Sequence, residues 1–273
     1  MSLKLRVMTY NVHSCIGMDG KICPQRIAEV IDIYEPDIIA LQELDVECHR
    51  TRYLHQPEVI AQYLNYHYKF YSHMEIEGGR YGNAVLSRYP MTLIKEDKLP
   101  RIEDRSRIGF ERLIRATFEP RGALWVKINF KEGDLQVLAT HLGVHRGEGT
   151  LQAKTILGPQ WLNDIPPEPM VLCGDMNAGH HSDVYHLFSG KFKDAQLLNG
   201  KKRPLKTYPS FCPMRRIDHI FVNGKCDVLK CWSPKTRETK KVSDHLPLIA
   251  DLQISFDNKN GSDLGFQKGA VAG

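Results

Sequence analysis

Leu3-Lys4-Leu5-Arg6-Val7-Met8-Thr9-Tyr10-Asn11, the segment Pro24 to Tyr34, and Asp37-Ile38-Ile39-Ala40-Leu41-Gln42-Glu43 decide the fold when read together. The outer two are short, β-rich apolar runs, each closing on a polar group. Between them Ile27, Val30, Ile31 and Tyr34 recur at the i, i+3, i+4, i+7 spacing of a helix that buries one face. Pro24 suits the first turn of that helix, where a missing N–H costs nothing, and Pro36 stops it. The segment Leu3 to Glu43 therefore reads as strand, helix, strand, the opening unit of an α/β fold.

The rest of the chain extends the pattern. A second helix is expected from Pro57 to Leu64, then strands at His67 to Tyr71 and Asn83 to Ser87. Leu124 to Phe130 and Leu135 to Thr140 flank Lys131-Glu132-Gly133-Asp134 as a hairpin, which brings in antiparallel pairing. A short helix from about Thr150 to Leu157 meets Gly158-Pro159, followed by a strand at Met170 to Cys173 and a helix after Ser182. Strands at Ile217 to Val222, Val228 to Trp232 and Leu248 to Ile254 complete the set. The mixture predicts sheets covered by helices. No Pro/Gly/Ser-rich linker and no repeat of 20 to 50 residues divides the chain, so residues 1–256 read as one domain. Residues 257–273 lack apolar periodicity and read as a flexible tail.

Composition narrows the setting. With 273 residues and 42% hydrophobic content the chain can bury a sizeable core. Its net charge of +5 is compatible with phosphate-bearing substrates but well short of a dedicated nucleic-acid binder. The 7 cysteines are scattered and odd in number, without Cys-x-x-Cys pairs, which argues against a disulfide framework or a zinc ribbon and favours a cytoplasmic setting. The amino terminus leads straight into a strand, and no apolar run approaches the roughly 20 residues that span a bilayer. A soluble monomer is expected.

Chemistry-bearing residues collect at strand ends. Tyr10-Asn11, Leu41-Gln42-Glu43, Thr140-His141, Gly174-Asp175-Met176-Asn177, Ile217-Asp218 and Ser243-Asp244-His245 each set a polar group at or beside an apolar run. A carboxylate buried there without compensation costs several kcal/mol, so one such case reads as a cap or a surface turn. Six cases call for a shared pocket at one edge of the sheets. Oxygen donors without a thiolate cluster suit Mg²⁺, with Mn²⁺ as the alternative, better than zinc.

These segments, taken with Arg216-Ile217-Asp218-His219-Ile220-Phe221, resemble the endonuclease/exonuclease/phosphatase superfamily, the deoxyribonuclease I-like metal-dependent phosphohydrolases. The resemblance follows the family's order along nearly the whole chain. It implies a four-layer α/β sandwich, two packed mixed β-sheets flanked by helices, and metal-assisted hydrolysis of phosphate esters.

Site assignments follow from the same resemblance. Glu43 is the expected main metal ligand, with Asn11 and Asp244 at or near the cation. Asp175 matches the residue that orients or deprotonates the attacking water, and Asn177 contacts phosphoryl oxygens. Asp218 should pair with His245, fixing its tautomer and raising its pKa; His245 then stays cationic against phosphate, or in an alternative assignment acts as the base. His141 matches a second histidine that donates to a phosphate oxygen. Arg121 and Asn83 are candidate substrate contacts.

Other polar residues read more simply. His180-His181 fall where the family has a variable loop and read as exposed. His219, alternating with Asp218 along a strand, should point away from it and pack. Lys201-Lys202-Arg203 and the run Lys235 to Lys241 read as solvated loop faces. Met176 stands where the family commonly has an aromatic residue and preserves apolar packing.

The substrate is less determined than the reaction. Phe211-Cys212-Pro213-Met214-Arg215-Arg216 precedes Asp218 where the apurinic-site endonuclease branch carries Gly-Trp-Arg, and the aromatic-rich signatures of the inositol polyphosphate phosphatases do not occur. Leu172 to Asn177 with Ser182 to Tyr185 is similar to the deadenylase branch, though the chain is shorter. The arrangement is most similar to short bacterial members, leaving nucleic acid and phospholipid or another small phosphodiester as substrates. A phosphomonoesterase is one alternative, and a catalytically silent binding protein on the same scaffold is the other.

Overall fold

The computed structural model describes residues 1–102, 119–145, 147–198 and 204–256. The segments 257–273 and 201–203 lie outside the described residues.

The opening strand, helix, strand unit forms as β1 (Ser2–Asn11), α1 (Pro24–Tyr34) and β2 (Ile38–Val46), with β1 and β2 parallel so that Asn11 lies opposite Gln42. Pro24 occupies the first turn of α1, and Glu35 closes it in the left-handed conformation. The helix buries Ile27, Ala28, Val30 and Ile31 against the sheet. After α2 (Gln56–Leu64) come β3 (His67–Ile76), β4 (Gly79–Ser87), β5 (Met91–Lys98), β6 (Gly122–Asn129) and β7 (Asp134–His141). Then α3 (Glu148–Ile156), β8 (Met170–Asp175), α4 (Asp183–Ser189), β9 (Lys193–Asp194) and α5 (Ala195–Leu198) lead to β10 (Asp218–Val222), β11 (Cys226–Trp232), α6 (Arg237–Val242) and β12 (Leu248–Ser255).

The strands build two six-stranded sheets, ordered β11-β12-β1-β2-β4-β3 and β5-β6-β7-β8-β10-β9. Each contains one parallel pair joined through a helix: β1 with β2, and β7 with β8. Alternation along the central strands explains the layering. On β1, Leu5 and Val7 face the second sheet while Met8 and Tyr10 face the helices; on β8, Val171 and Cys173 face inward while Met170 and Leu172 face outward. Both faces of these strands are buried, so their sequences read as nearly continuous apolar runs. One core lies between the sheets, a second beneath α1 and α2, and a third beneath α3 and α4. The result is the expected four-layer sandwich.

Beyond the short β9 and α5, which the sequence does not announce, three local features depart from the expectation. Strand β2 does not end at Glu43 but continues to Val46, and Glu43 sits in a bulge where its pairing with β4 shifts. Strand β5 carries Met91-Thr92-Leu93-Ile94-Lys95-Glu96-Asp97-Lys98; it is an edge strand, mostly exposed, so it lacks the apolar alternation that marks the others. The run from Lys235 to Lys241 contains α6 rather than a loop: Thr236 and Thr239 form a reciprocal capping box, Thr239 and Val242 are buried, and Lys240 and Lys241 lie in the last turn, where cations suit the helix dipole.

Candidate active site

The carboxyl ends of the two parallel pairs meet at one edge of the sandwich. Asn11 ends β1 and Glu43 bulges from β2, while His141 ends β7 and Asp175 ends β8 directly opposite it. Asp218 opens β10 across from Asp175, and His245 lies on the loop entering β12. Backbone geometry aims these groups. Glu43 has φ 60°, a left-handed conformation that costs a non-glycine residue roughly 1–2 kcal/mol and turns its side chain out of the strand's alternation into the cleft. Asp45, two residues on and fully buried, steadies the bulge through both carboxylate oxygens bound by Arg50 at 2.8 Å. Beside Asp175, Gly174 has φ 150°, and a Cβ there would lie 1.8 Å from the Thr140 carbonyl oxygen. Only glycine lets β7 and β8 approach so closely.

Asn11 ties the two sheets together. Its Nδ2 donates to Glu43 Oε1 at 2.9 Å and to Asp175 Oδ2 at 3.1 Å, while its Oδ1 accepts from the His13 backbone N–H. Asp175 Oδ2 also stands 3.6 Å from the Nε2 atoms of both His141 and His245, and its Oδ1 accepts from the Asn177 backbone N–H at 2.9 Å. Burial, reinforced by the charge of Asp218, pushes the Asp175 pKa well above the carboxylate range, against the pull of His245 and these hydrogen bonds.

His245 is 3.0 Å from Asp218 through Nδ1. Burial alone would discharge the ring, but the carboxylates of Asp218, Asp175 and Asp244 outweigh it and raise its pKa to about 10. The imidazole is therefore cationic at neutral pH. Asp218 in turn accepts from Thr207 Oγ1 at 2.5 Å, and the Tyr208 ring packs 4.8 Å from the His245 ring. Ser243 Oγ donates to the Asn11 carbonyl and accepts from the His245 N–H, pinning the loop to the end of β1. Thr207 and Tyr208 carry no periodicity or strand-end signature, so only three-dimensional contact reveals their part.

His141 has the opposite electrostatics. Burial, then the charge of Arg121, drives its pKa well below the ordinary histidine value, so the ring is neutral. Arg121, 4% exposed, reaches His141 Nδ1 with Nη1 at 3.0 Å and pairs with Glu119 at 3.2 Å. Glu119, which meets the same Arg121 nitrogen, is not marked by any sequence motif. Asn83 is fully buried and donates from Nδ2 to the Gly122 carbonyl, joining β4 of one sheet to β6 of the other. The two residues read as substrate contacts are thus both buried. The site's more accessible side chains are Glu43, Asn177 and Asp244.

Two groups of side chains could hold a cation. Asp175, Asp218 and His245 each offer a ligand atom within 4.8 Å of the others. Beside them, Asp244 Oδ1 is buried without a hydrogen-bond partner, and the Asp244 pKa is raised by burial, with the charge of Glu43 adding to the rise. A carboxylate with an unsatisfied oxygen, whose pKa the charge of Glu43 helps to raise, fits a hard divalent ion. Of the other histidines, His180 and His181 are exposed, and His219 stacks on Phe221 and meets the Ala178 carbonyl at 2.8 Å through Nε2.

Two mixed sheets packed face to face, with helices outside and a buried Asp/Asp/His cluster at their shared edge, define a phosphoesterase-type α/β sandwich. The chain belongs to the endonuclease/exonuclease/phosphatase family, whose family model matches residues 8–245. It is 25% identical over 261 residues to the uncharacterized protein YbhP of Escherichia coli, an alignment covering 91% of this chain and 96% of that protein. A family protein from Bacteroides thetaiotaomicron superposes with a TM-score of 0.72 at 18% identity, covering 93% of this chain and 96% of that one. A mannosyl-6-phosphatase from the same organism superposes with a TM-score of 0.63 at 21% identity, covering 91% and 99%.

Proposed function

We propose that the protein is a Mg²⁺-dependent phosphodiesterase that hydrolyses its substrate by in-line attack of water. The single observation that carries this reading is the position of Asp175 Oδ2: 3.1 Å from Asn11, which bonds Glu43, and 3.6 Å from both histidines. One carboxylate thus stands between an oxygen-donor group suited to a cation and a donor group suited to a phosphate.

In this reading Glu43 and Asp244 hold Mg²⁺, or Mn²⁺, with Asn11 beside them. The ion, when bound, supplies Lewis-acid stabilisation of charge developing on the phosphate. Asp175 would orient the attacking water and accept its proton as the bond from phosphorus to the ester oxygen breaks, the departing oxygen taking a proton from solvent. His245, held cationic by Asp218, faces the phosphoryl oxygens, and Asn177 and His141 donate to them as charge builds. A cleft of about 670 Å³ opens beside Asn177, with Val144, Leu151 and Lys154 among its lining, and gives room for the esterifying group of a nucleic acid, phospholipid or small diester. Among the described residues no helix is long and apolar enough to cross a membrane.

The test is hydrolysis of bis(p-nitrophenyl) phosphate with and without Mg²⁺, beside p-nitrophenyl phosphate. Turnover of the diester that EDTA abolishes, and that Asp175→Asn or His245→Ala each reduces at least about a hundredfold, is the expected result. Preference for the monoester would favour a phosphomonoesterase, the activity named for the Bacteroides relative on this fold. Absence of any turnover across a panel of DNA, RNA, phospholipids and phosphomonoesters would leave the silent binding protein.

A further inference from the structure

We infer that Arg121 is a positioning residue: it imposes on His141 the tautomer whose N–H, on Nε2, faces Asp175. The inference rests on the proposed function for its catalytic meaning, but its geometric content stands without it.

The register of β6 and β7 sets Gly122 opposite His141, so Arg121 lies one residue before that pair and its side chain reaches His141 from behind the cleft. Nη1 meets Nδ1 at 3.0 Å, and Glu119, 3.2 Å from the same nitrogen, holds the guanidinium in place. A guanidinium only donates hydrogen bonds, so Nδ1 must accept. With Nδ1 bare, the ring's N–H is on Nε2. That atom faces Asp175 Oδ2 at 3.6 Å.

A competing contact makes the assignment informative. Asn177 Nδ2 lies 3.0 Å from His141 Nε2 while also donating to the Leu142 carbonyl at 2.8 Å. Donors thus approach the ring from both sides, and a neutral imidazole can accept from only one. Were Nε2 to accept from Asn177, an N–H on Nδ1 would point at a buried cation. A charge-assisted hydrogen bond is roughly twice as strong as a neutral one, so Arg121 sets the outcome. Nε2–H then lies on the Asp175 side of the ring, where Asp175 Oδ2 stands 3.6 Å away, and can serve one acceptor oxygen there, such as a non-bridging phosphoryl oxygen.

The role differs from that of Asp218 toward His245. Asp218 fixes its histidine by accepting a hydrogen bond and keeps it charged, whereas Arg121 fixes His141 by donating one and keeps it neutral.

The imidazole nitrogens of the full chain can be read by ¹⁵N NMR, with His141 assigned by the signal missing in His141→Gln. The expected spectrum shows His141 as a neutral ring with a protonated Nε2 and a bare Nδ1. In Arg121→Met that pattern should give way to a mixture or to the Nδ1–H form, while Arg121→Lys, which keeps a charged donor, should restore it. With Mg²⁺ and bis(p-nitrophenyl) phosphate, Arg121→Met should lower kcat about 10–100-fold, with partial recovery in Arg121→Lys. A wild-type His141 that is cationic or carries its proton on Nδ1 overturns the inference, and needs no variant to fold. An unchanged pattern in a folded Arg121→Met protein overturns it as well. The predicted tautomer in a protein that hydrolyses no phosphate ester would instead remove the proposed function and leave the positioning intact.

Discussion

The two parallel strand pairs are built alike and equipped differently. In each, a strand runs to the site edge, a helix returns the chain, and a second strand arrives alongside: β1, α1, β2 in one sheet and β7, α3, β8 in the other. The first pair delivers Asn11 and Glu43, an amide and an acid, and the second delivers His141 and Asp175. Their backbones solve the approach differently too, with a left-handed glutamate in a bulge on one side and an obligatory glycine, Gly174, on the other. A common topology therefore brings two unlike half-sites to one edge, and Asn11 bonds across them. The proposed division of labour, cation on one half and phosphate and water on the other, is where the two can be separated by experiment.

The largest expected effect separates the halves kinetically. Asp175→Asn should lose at least about a hundredfold in kcat, and extra Mg²⁺ should recover none of it, because the variant lacks the proton acceptor. Glu43→Gln should lose about 10–100-fold at low Mg²⁺ and recover substantially as Mg²⁺ is raised, because the lost group is a ligand. Rates measured against Mg²⁺ concentration check both; parallel curves for the two variants would erase the distinction.

Gly174→Ala probes how closely the second pair packs. Its methyl group would meet the Thr140 carbonyl oxygen in the middle of a paired ladder, where neither backbone can step aside. A destabilisation of about 2–3 kcal/mol in urea unfolding is expected, with activity falling as β7 and β8 separate.

The charge state of His245 gives a smaller, pH-dependent signal. Its pKa in the folded protein is about 10, against an ordinary value of 6.5, so the stabilisation it supplies is complete below about pH 6.5 and is lost as pH rises through about 10. Asp175, whose pKa is also raised, acts with the same sign at lower pH: burying its charged form costs stability as pH climbs past the usual carboxylate range. The urea midpoint of metal-free protein should therefore fall between pH 6.5 and 10, and fall less in Asp218→Asn. A midpoint that rises over this interval would contradict the assigned charges.

The smallest effect concerns strain in the first pair. Asparagine tolerates the left-handed region better than glutamate, so Glu43→Asn should leave stability within about 0.5 kcal/mol of the parent or slightly above it, while cation-dependent activity drops. Thermal unfolding of the two proteins, side by side, measures it.

Much of this was legible in the sequence because burial writes a pattern. Strands buried on both faces, such as those around Val7 and Leu172, announce themselves as apolar runs, and α1 shows its stripe and its proline boundaries. The edge strand β5 pays little burial and leaves no such mark; α6 is short and charged, and its capping box of two threonines is hidden among lysines. At the site, residues at the ends of buried strands could be picked out because polar groups are unexpected there. Groups that support them through loops, Glu119, Thr207 and Tyr208, belong to no motif or periodic pattern and are found only through their contacts. Arg121 and Asn83 show the same limit from another side: the motif points to both residues, but only the packed sheets reveal that they are buried.

The division between the halves is tested most directly by Mn²⁺ binding, followed by the loss of free-ion signal in electron paramagnetic resonance, for the parent protein, Glu43→Gln and Asp175→Asn. With the cation held by Glu43 and Asp244, Glu43→Gln should weaken binding by about tenfold or more, and Asp175→Asn should bind nearly as tightly as the parent. The reverse result, Asp175→Asn losing the ion while Glu43→Gln keeps it, would move the cation to the Asp175, Asp218 and His245 cluster and contradict the assignment of the two half-sites.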